Sequence, residues 1–125
     1  MTTPLNFPDP AVVLRMLRES LERLASPAES QIGFLETLGV GDCADELALE
    51  FDGDARVVPA LVEFGFATSA QLDAVRAVDI VLRRMSGPEN AELWTFAALR
   101  NSTGWQEVRK LAQAALSLLS LPKSD

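Results

Sequence analysis

Apolar residues recur at helical spacing most clearly between Thr68 and Gly87. With a turn of about 100° per residue, the apolar positions of this stretch fall within an arc of roughly 160°, opposite a charged arc. The apolar arc consists of Ala74, Val75, Ala77, Val78, Val81, Leu82 and Met85. Thr68 and Gln71 form a capping-box signature, and Gly87 stands where a left-handed C-terminal cap is expected. The pattern predicts a central helix with one buried face.

The two ends of the chain carry similar amphipathic patterns. Asp9 followed by Pro10 is typical of a helix start, and a first helix is predicted from Pro10 to about Ala25. Its apolar stripe consists of Val13, Leu14, Leu17, Leu21 and Leu24. A last helix is predicted to start at Ser102 or Thr103. Its apolar arc consists of Trp105, Val108, Leu111, Ala112, Ala115, Leu116, Leu118 and Leu119.

The middle of the chain contains shorter patterns. Ser26 is predicted to cap a second helix that runs from Pro27 to about Leu38 and is closed by Gly39. Its buried stripe is expected to be Ala28, Ile32, Leu35 and Leu38. Asp42 is predicted to cap a third helix. Short helical segments are expected at about 58–64 and 91–102.

Residues 47–58 allow two interpretations. The helical interpretation depends on apolar residues at helical spacing, which are Ala44, Leu47, Ala48 and Phe51. The hairpin interpretation depends on the alternation of Leu47, Leu49 and Phe51, with Asp52-Gly53 as a two-residue turn. Pro59 and the helix-favouring sequence DELALE argue against a long hairpin. Both interpretations remain open at this point.

These elements predict an all-α fold, a compact single-domain bundle of five or six helices. A chain of 125 residues is long enough for one domain with one core. We expect the central and last helices to pack together, with the first helix laid across them. Residues 1–8 are expected to form a lead-in that Phe7 anchors to the core, and residues 122–125 a polar tail.

Composition narrows the choice of partner and compartment. Eighteen acidic residues against eleven basic ones give a net charge of −7. This charge argues against nucleic acid and anionic membranes as partners and favours a basic protein. No stretch has the pattern of a secretory leader, and no apolar run approaches the roughly 20 residues that cross a bilayer. We therefore expect a cytoplasmic protein.

The sequence offers little catalytic chemistry. It has no histidine and no tyrosine, which removes triads with a histidine base and histidine-ligated metal sites. Cys43 has only acidic charged neighbours, whereas a nucleophilic cysteine needs a cation nearby, so we expect a small buried thiol. Glu50, Asp52 and Asp54 make an incomplete calcium loop, because Arg56 stands where a further oxygen ligand is needed. We predict no enzymatic activity, no cofactor and no metal ion.

The acidic residues are unevenly distributed along the chain. From Ala25 to Ala55 there are eight acidic residues and no lysine or arginine, whereas the rest of the chain holds ten acidic and eleven basic residues. One interpretation is a solvated face that keeps the protein soluble. The other is a docking surface that steers a basic protein and holds it in register. The candidate partner-binding residues are Glu29, Glu36, Asp42, Asp45, Glu46, Glu50, Asp52 and Asp54.

Residues from about Thr68 to Leu121 carry a resemblance to a known group of proteins. The residues concerned are Met85-Ser86-Gly87, Asn90, Leu93-Trp94-Thr95, Ala98-Leu99, Trp105, Val108-Arg109 and Leu111-Ala112, with ELALEFD as an echo upstream. This stretch resembles small acidic all-helical proteins of bacteria, some of them immunity-type proteins that neutralise a toxin. The resemblance implies a non-catalytic binding protein and assigns no binding residues.

The sequence therefore predicts a protein-binding domain, immunity-like, that neutralises a basic toxin or enzyme by docking its acidic face. The alternative is a homodimeric structural or regulatory module. Ile80 lies within the charged arc of the central helix and Leu72 at its edge, and either of them or Phe96 would provide the apolar contact.

Overall fold

The computed structural model describes residues 6–119, and every regular element within them is helical. The α-helices are α1 (Pro10–Ala25), α2 (Ala28–Leu38), α3 (Asp45–Ala55), α4 (Val58–Glu63), α5 (Ser69–Arg84), α6 (Phe96–Asn101) and α7 (Thr103–Leu119). A 3-10 helix, Pro88–Trp94, connects α5 to α6. The all-α prediction is confirmed.

The predicted number of helices, five or six, is wrong, because the described residues form seven α-helices. The segment predicted at 91–102 contains a break at Thr95, whose backbone is extended (φ −110°, ψ 163°). The Thr95 hydroxyl accepts a hydrogen bond from the Ala98 N–H at 3.2 Å. This cap makes α6 a separate helix, since it satisfies one of the free amides of its first turn.

Helix α7 is the centre of the bundle and packs most extensively against α1 and α5. Its buried residues include Trp105, Val108, Ala112 and Ala115, which join one apolar cluster with the buried faces of α1 and α5. The central and last helices therefore pack together as predicted, whereas α1 packs on α7 and α3 and does not lie across α5 as well. Helix α3 completes the bundle, packing on α1 and, less extensively, on α5.

The caps of α1 and α5 form largely as the sequence predicts. Asp9 accepts a hydrogen bond from the Ala11 N–H at 3.0 Å. At α5, the Thr68 hydroxyl accepts from the Gln71 N–H at 3.1 Å, and the Gln71 side chain accepts from the Thr68 N–H at 2.8 Å. Gly87 does not provide the expected left-handed helical cap. Its backbone (φ 112°, ψ 154°) lies in a region that only glycine adopts readily, two residues beyond the C-cap Met85.

Two predicted caps are wrong. The Ser26 hydroxyl donates to the Glu22 carbonyl at 2.7 Å, so it ends α1 instead of starting α2. Asp42 accepts from the Phe96 N–H at 2.6 Å, at the start of α6 and not of α3. Two residues of the predicted apolar faces are also exposed, Leu38 (46%) at the end of α2 and Leu118 (47%) near the end of α7.

Residues 47–55 are helical and residues 56–57 form a turn between two helices, so the hairpin interpretation is wrong. Helix α3 continues to Ala55 and α4 begins at Val58, so Asp52-Gly53 lies inside a helix. Leu47 and Phe51 are buried and Leu49 is exposed, as helical spacing requires.

A buried polar network joins α1, α2, α6 and α7. Gln31 is 1% exposed, and its side-chain amide donates to the carbonyls of Arg23 and Leu24 at 3.1 and 3.0 Å. The Gln31 side-chain oxygen accepts from Arg109 at 2.9 Å, and Arg109 also donates to the Leu99 carbonyl. Burial lowers the pKa of Arg109. The network supplies partners for carbonyls at the end of α1, which an α-helix leaves unpaired.

At the start of the described chain, the Phe7 ring contacts the ring of Phe64 edge-on, with centroids 5.2 Å apart. Phe7 thus contacts the residue that follows α4, which is not part of the apolar core cluster. Residues 1–5 and the tail predicted at 122–125 lie outside the described residues. Among residues 6–119, no helix has both the length and the apolar character that a membrane crossing requires.

Candidate functional site

The structure pairs three of the eight candidate acidic residues with arginines. Glu29 pairs with Arg100 at 2.6 Å, and Asp52 pairs with Arg56 at 2.6 Å. Glu50 accepts two hydrogen bonds from Arg23, at 2.8 and 3.1 Å. All three arginines lie outside the acidic stretch in sequence, so packing restores part of the charge balance that the stretch lacks.

Glu29, Glu36 and Asp42 lie around one guanidinium. The hydrogen bond from Arg100 lowers the pKa of Glu29. The same bond raises the pKa of Arg100, and the charges of Glu36 and Asp42 raise it further. These three candidate residues are therefore brought to one side of the α2–α6 junction.

Asp54 belongs to a different group. It lies near Glu50 and Glu19, and burial raises its pKa, with a smaller contribution from these two carboxylates. The Ser20 hydroxyl acts in the opposite direction. Asp54 thus faces α1, and Glu19 is a neighbour that the acidic stretch of the sequence did not include.

Three candidate residues have neither an ion pair nor a side-chain hydrogen bond among the described residues. Within residues 6–119, the carboxylates of Glu36, Asp45 and Glu46 make no ion pair and no hydrogen bond. They lie at the end of α2 and in the first turn of α3. With Asp42 between them in sequence, they form the part of the candidate surface that remains available for an external cation. We refer to these four residues as the acidic face.

A cleft of about 530 Å³ adjoins the acidic face. It lies between the α2–α3 connection, α3 and the 3-10 helix. Asp42 and Asp45 contribute carboxylates to its lining, and no lysine or arginine lines it. Its apolar lining residues are Ala48, Leu49, Ala91 and Trp94.

Three hydrogen bonds build this cleft from distant parts of the chain. The Ala44 N–H donates to the Trp94 carbonyl at 2.9 Å, and Asp42 accepts from the Phe96 N–H. The Trp94 indole donates to the Met85 carbonyl at 2.9 Å. These bonds hold the α2–α3 connection against the 3-10 helix, with the Trp94 ring packed edge-on against that of Trp105.

Cys43 lies in the wall of the cleft and is partly exposed. The expectation of a buried thiol is therefore wrong. Cys43 follows the turn at Gly41, to whose carbonyl its N–H donates at 2.8 Å, and this turn leaves the side chain at the edge of the cleft.

The carboxylates considered for a calcium loop are distributed along α3. Glu50 and Asp52 are bound by separate arginines and Asp54 faces α1. Among residues 6–119, no group of three or more cysteine, aspartate and glutamate side chains is arranged to hold a metal ion.

The cleft itself was missed by the sequence interpretation. Leu49 is 60% exposed on α3, and its place outside the stripe of Leu47 and Phe51 was the signal that could have shown it. Trp94 is only partly buried and lines the cleft.

Taken together, fold and site define an all-helical domain with an acidic face beside a partly apolar cleft. The chain matches no protein-family model, no curated protein and no solved structure. We therefore base its function on the geometry of its own residues.

Proposed function

We propose that the protein is a non-catalytic, immunity-like binding domain that neutralises a basic toxin or enzyme by docking its acidic face on it. The observation that supports this most directly is that Asp42 and Asp45 line a cleft that also has an exposed leucine in its lining and no lysine or arginine.

Each part of this surface has a physical role in binding. Exposed carboxylates accelerate encounter with a basic protein and set its orientation. Affinity comes mainly from a few apolar or arginine side chains that fill a pocket and exclude water. The acidic face would speed encounter and orient the partner, and the cleft would provide affinity.

The test uses the protein encoded by the neighbouring reading frame as the candidate partner, with affinity measured by calorimetry. The variant E36Q/D45N/E46Q removes three negative charges from the acidic face. We expect it to bind about tenfold or more weakly. The matched control E22Q/E63Q/D73N removes three exposed charges elsewhere, on α1, α4 and α5, and should change affinity by less than about threefold.

Two results would contradict the proposal. One is the absence of a complex at micromolar concentration. The other is an equal loss of affinity in both triple variants, because that would mean that net charge matters and the location of the charges does not.

A homodimeric module is the second candidate, and the exposure of Ile80 favours it. Ile80 is 54% exposed on the outer side of α5, whereas Leu72 and Phe96 are partly buried against the core. Light scattering at low and high concentration distinguishes the candidates. A concentration-dependent dimer that Ile80→Ser abolishes would support the homodimer, and a monomer throughout would exclude it.

A further inference from the structure

The cleft beside the acidic face combines two kinds of lining that select different parts of a ligand. Leu49 and Trp94 offer apolar surface, while Asp42 and Asp45 offer carboxylates. The carboxylate of Glu89 is also close to the cleft. Gly87 lines the cleft, and a Cβ added to Gly87 would lie 2.7 Å from an oxygen of Glu89. No lining residue is a lysine or an arginine.

We propose that this cleft binds a basic segment of the protein partner in which an arginine or lysine is adjacent to a large apolar residue. The proposal rests on the proposed function and specifies the chemistry of the segment that the domain recognises.

Leu49 borders a cleft that is large enough to hold an apolar side chain. A single exposed leucine is ordinary for a protein surface. Leu49, however, borders a cleft of about 530 Å³, which lies within the range of ligand pockets and has room for a large side chain. An apolar residue seated there would remove both Leu49 and the Trp94 ring from water.

The carboxylates of the cleft have oxygens that can still accept hydrogen bonds from a ligand. One oxygen of Asp42 accepts from the Phe96 N–H, and within residues 6–119 its other oxygen accepts no hydrogen bond. Asp45 lies in the first turn of α3 and makes no ion pair among residues 6–119. An apolar segment alone would bury these charges without compensation, whereas the guanidinium of an arginine supplies several donors to such oxygens.

Charge complementarity also disfavours the acidic face of a second copy of this chain as the occupant of the cleft. The chain carries a net charge of −7, and two acidic faces placed together would repel. The occupant that fits is a separate, basic chain.

The test uses the full-length protein labelled with nitrogen-15 and blocked tetrapeptides as probes. The first peptide contains leucine next to arginine, the second replaces arginine with uncharged citrulline, and the third replaces leucine with serine. We expect the leucine–arginine peptide, at millimolar concentration, to shift the amide signals of Cys43, Asp45 and Leu49 and the indole signal of Trp94. Each substitution in the peptide should weaken binding by about fivefold or more.

The affinities of protein variants for the same peptides test the inference from the side of the cleft. Asp45→Asn should weaken binding of the leucine–arginine peptide several-fold and leave the citrulline peptide unchanged, while Leu49→Ser should weaken both. Asp73→Asn, an exposed acid on α5, should change neither. The inference is overturned by equal affinity for the arginine and citrulline peptides, by shifts that map outside the cleft, or by no shifts at all.

Failure of the cleft inference can be distinguished from failure of the proposed function. If the E36Q/D45N/E46Q variant loses its protein partner but the peptides do not enter the cleft, the acidic face stands and the cleft inference fails. Alkylation of Cys43, the only cysteine, with a bulky maleimide gives a second readout on the intact partner complex. Blocked binding supports the cleft as the contact, and unchanged binding contradicts it.

Discussion

Among single residues, Gln31 is the centre of the buried polar network. Its side-chain amide donates hydrogen bonds to two backbone carbonyls, and its side-chain oxygen accepts one from Arg109. Gln31→Leu would leave the buried Leu24 carbonyl without this partner, whereas the Arg23 carbonyl keeps the Ser26 N–H and Arg109 keeps the Leu99 carbonyl. We expect a loss of about 1–3 kcal/mol in the free energy of unfolding, the usual cost of an unpaired buried polar group. Urea unfolding measures this directly.

Gln113→Leu is the control, because Gln113 is exposed on the same helix as Arg109. It should change the free energy of unfolding by less than about 0.5 kcal/mol. Equal effects of the two substitutions would show that the network does not hold α1, α2, α6 and α7 together.

Asp54 leads to a prediction about pH. Burial raises its pKa, so the folded state binds the proton of Asp54 more tightly than the unfolded state does. The charged form therefore destabilises the fold at neutral pH, and this penalty disappears as the pH falls below the ordinary range of an aspartate, about 4.

Asp54→Asn should consequently raise the free energy of unfolding at about pH 7, by ~0.5 kcal/mol or less because solvent screens the partly exposed group. At about pH 3 the variant and the original protein should be equal, since protonated Asp54 is also neutral. Chemical unfolding at both pH values measures the difference. A destabilisation of equal size at both would contradict the assigned environment of Asp54.

At the scale of elements, Gly53 tests whether α3 is a helix throughout. Gly53 lies inside α3, and no heavy atom is within 4 Å of a Cβ added there. We expect Gly53→Ala to raise the free energy of unfolding by about 0.5–1 kcal/mol, because alanine favours a helix interior over glycine.

Gly65→Ala is the matched control. Its added Cβ also meets open space, but Gly65 has a φ of +82°. Alanine is strained in that conformation, so this substitution should destabilise by about 1 kcal/mol. Thermal unfolding of both variants provides the comparison, and destabilisation by Gly53→Ala would favour a turn at 52–53.

The helices that the sequence predicts well are those whose signals are local. The apolar stripes of α1, α5 and α7, the Asp9 cap and the capping box at Thr68 all depend on residues within a few positions of each other. The role of Asp42 was mispredicted because its hydrogen-bond partner, Phe96, is 54 positions away. No local pattern contains that information.

The candidate site also has features that the sequence shows locally and features that depend on distant residues. The run of acidic residues is visible in the sequence, but the arginines that neutralise Glu29 and Glu50 come from α6 and α1. The sequence alone could not separate paired from unpaired carboxylates. The cleft depends on the hydrogen bond between Ala44 and Trp94, which packing alone establishes.

At the scale of the whole molecule, the proposed function predicts that charge sets the rate at which a basic partner associates. Because the carboxylates of the acidic face form no salt bridge among the described residues, their field should steer a basic protein. Steering is screened over about 10 Å at 0.1 M salt. We expect the association rate constant to fall about tenfold or more from low to high ionic strength.

Stopped-flow or surface-based kinetics with the neighbouring gene product measures this rate. The dissociation rate constant should change much less, because the contacts in the cleft are short-range and partly apolar. An association rate that does not depend on salt would rule out steering by the acidic face.

Hydrogen–deuterium exchange of the free protein and of its complex is the most direct test of the central claim, because it locates the contact without altering any residue. Docking through the acidic face and the cleft predicts slower exchange on complex formation at residues 36–49 and 87–95, with little change at the outer side of α5. Protection centred on Ile80 in α5, with residues 36–49 unchanged, would contradict the account.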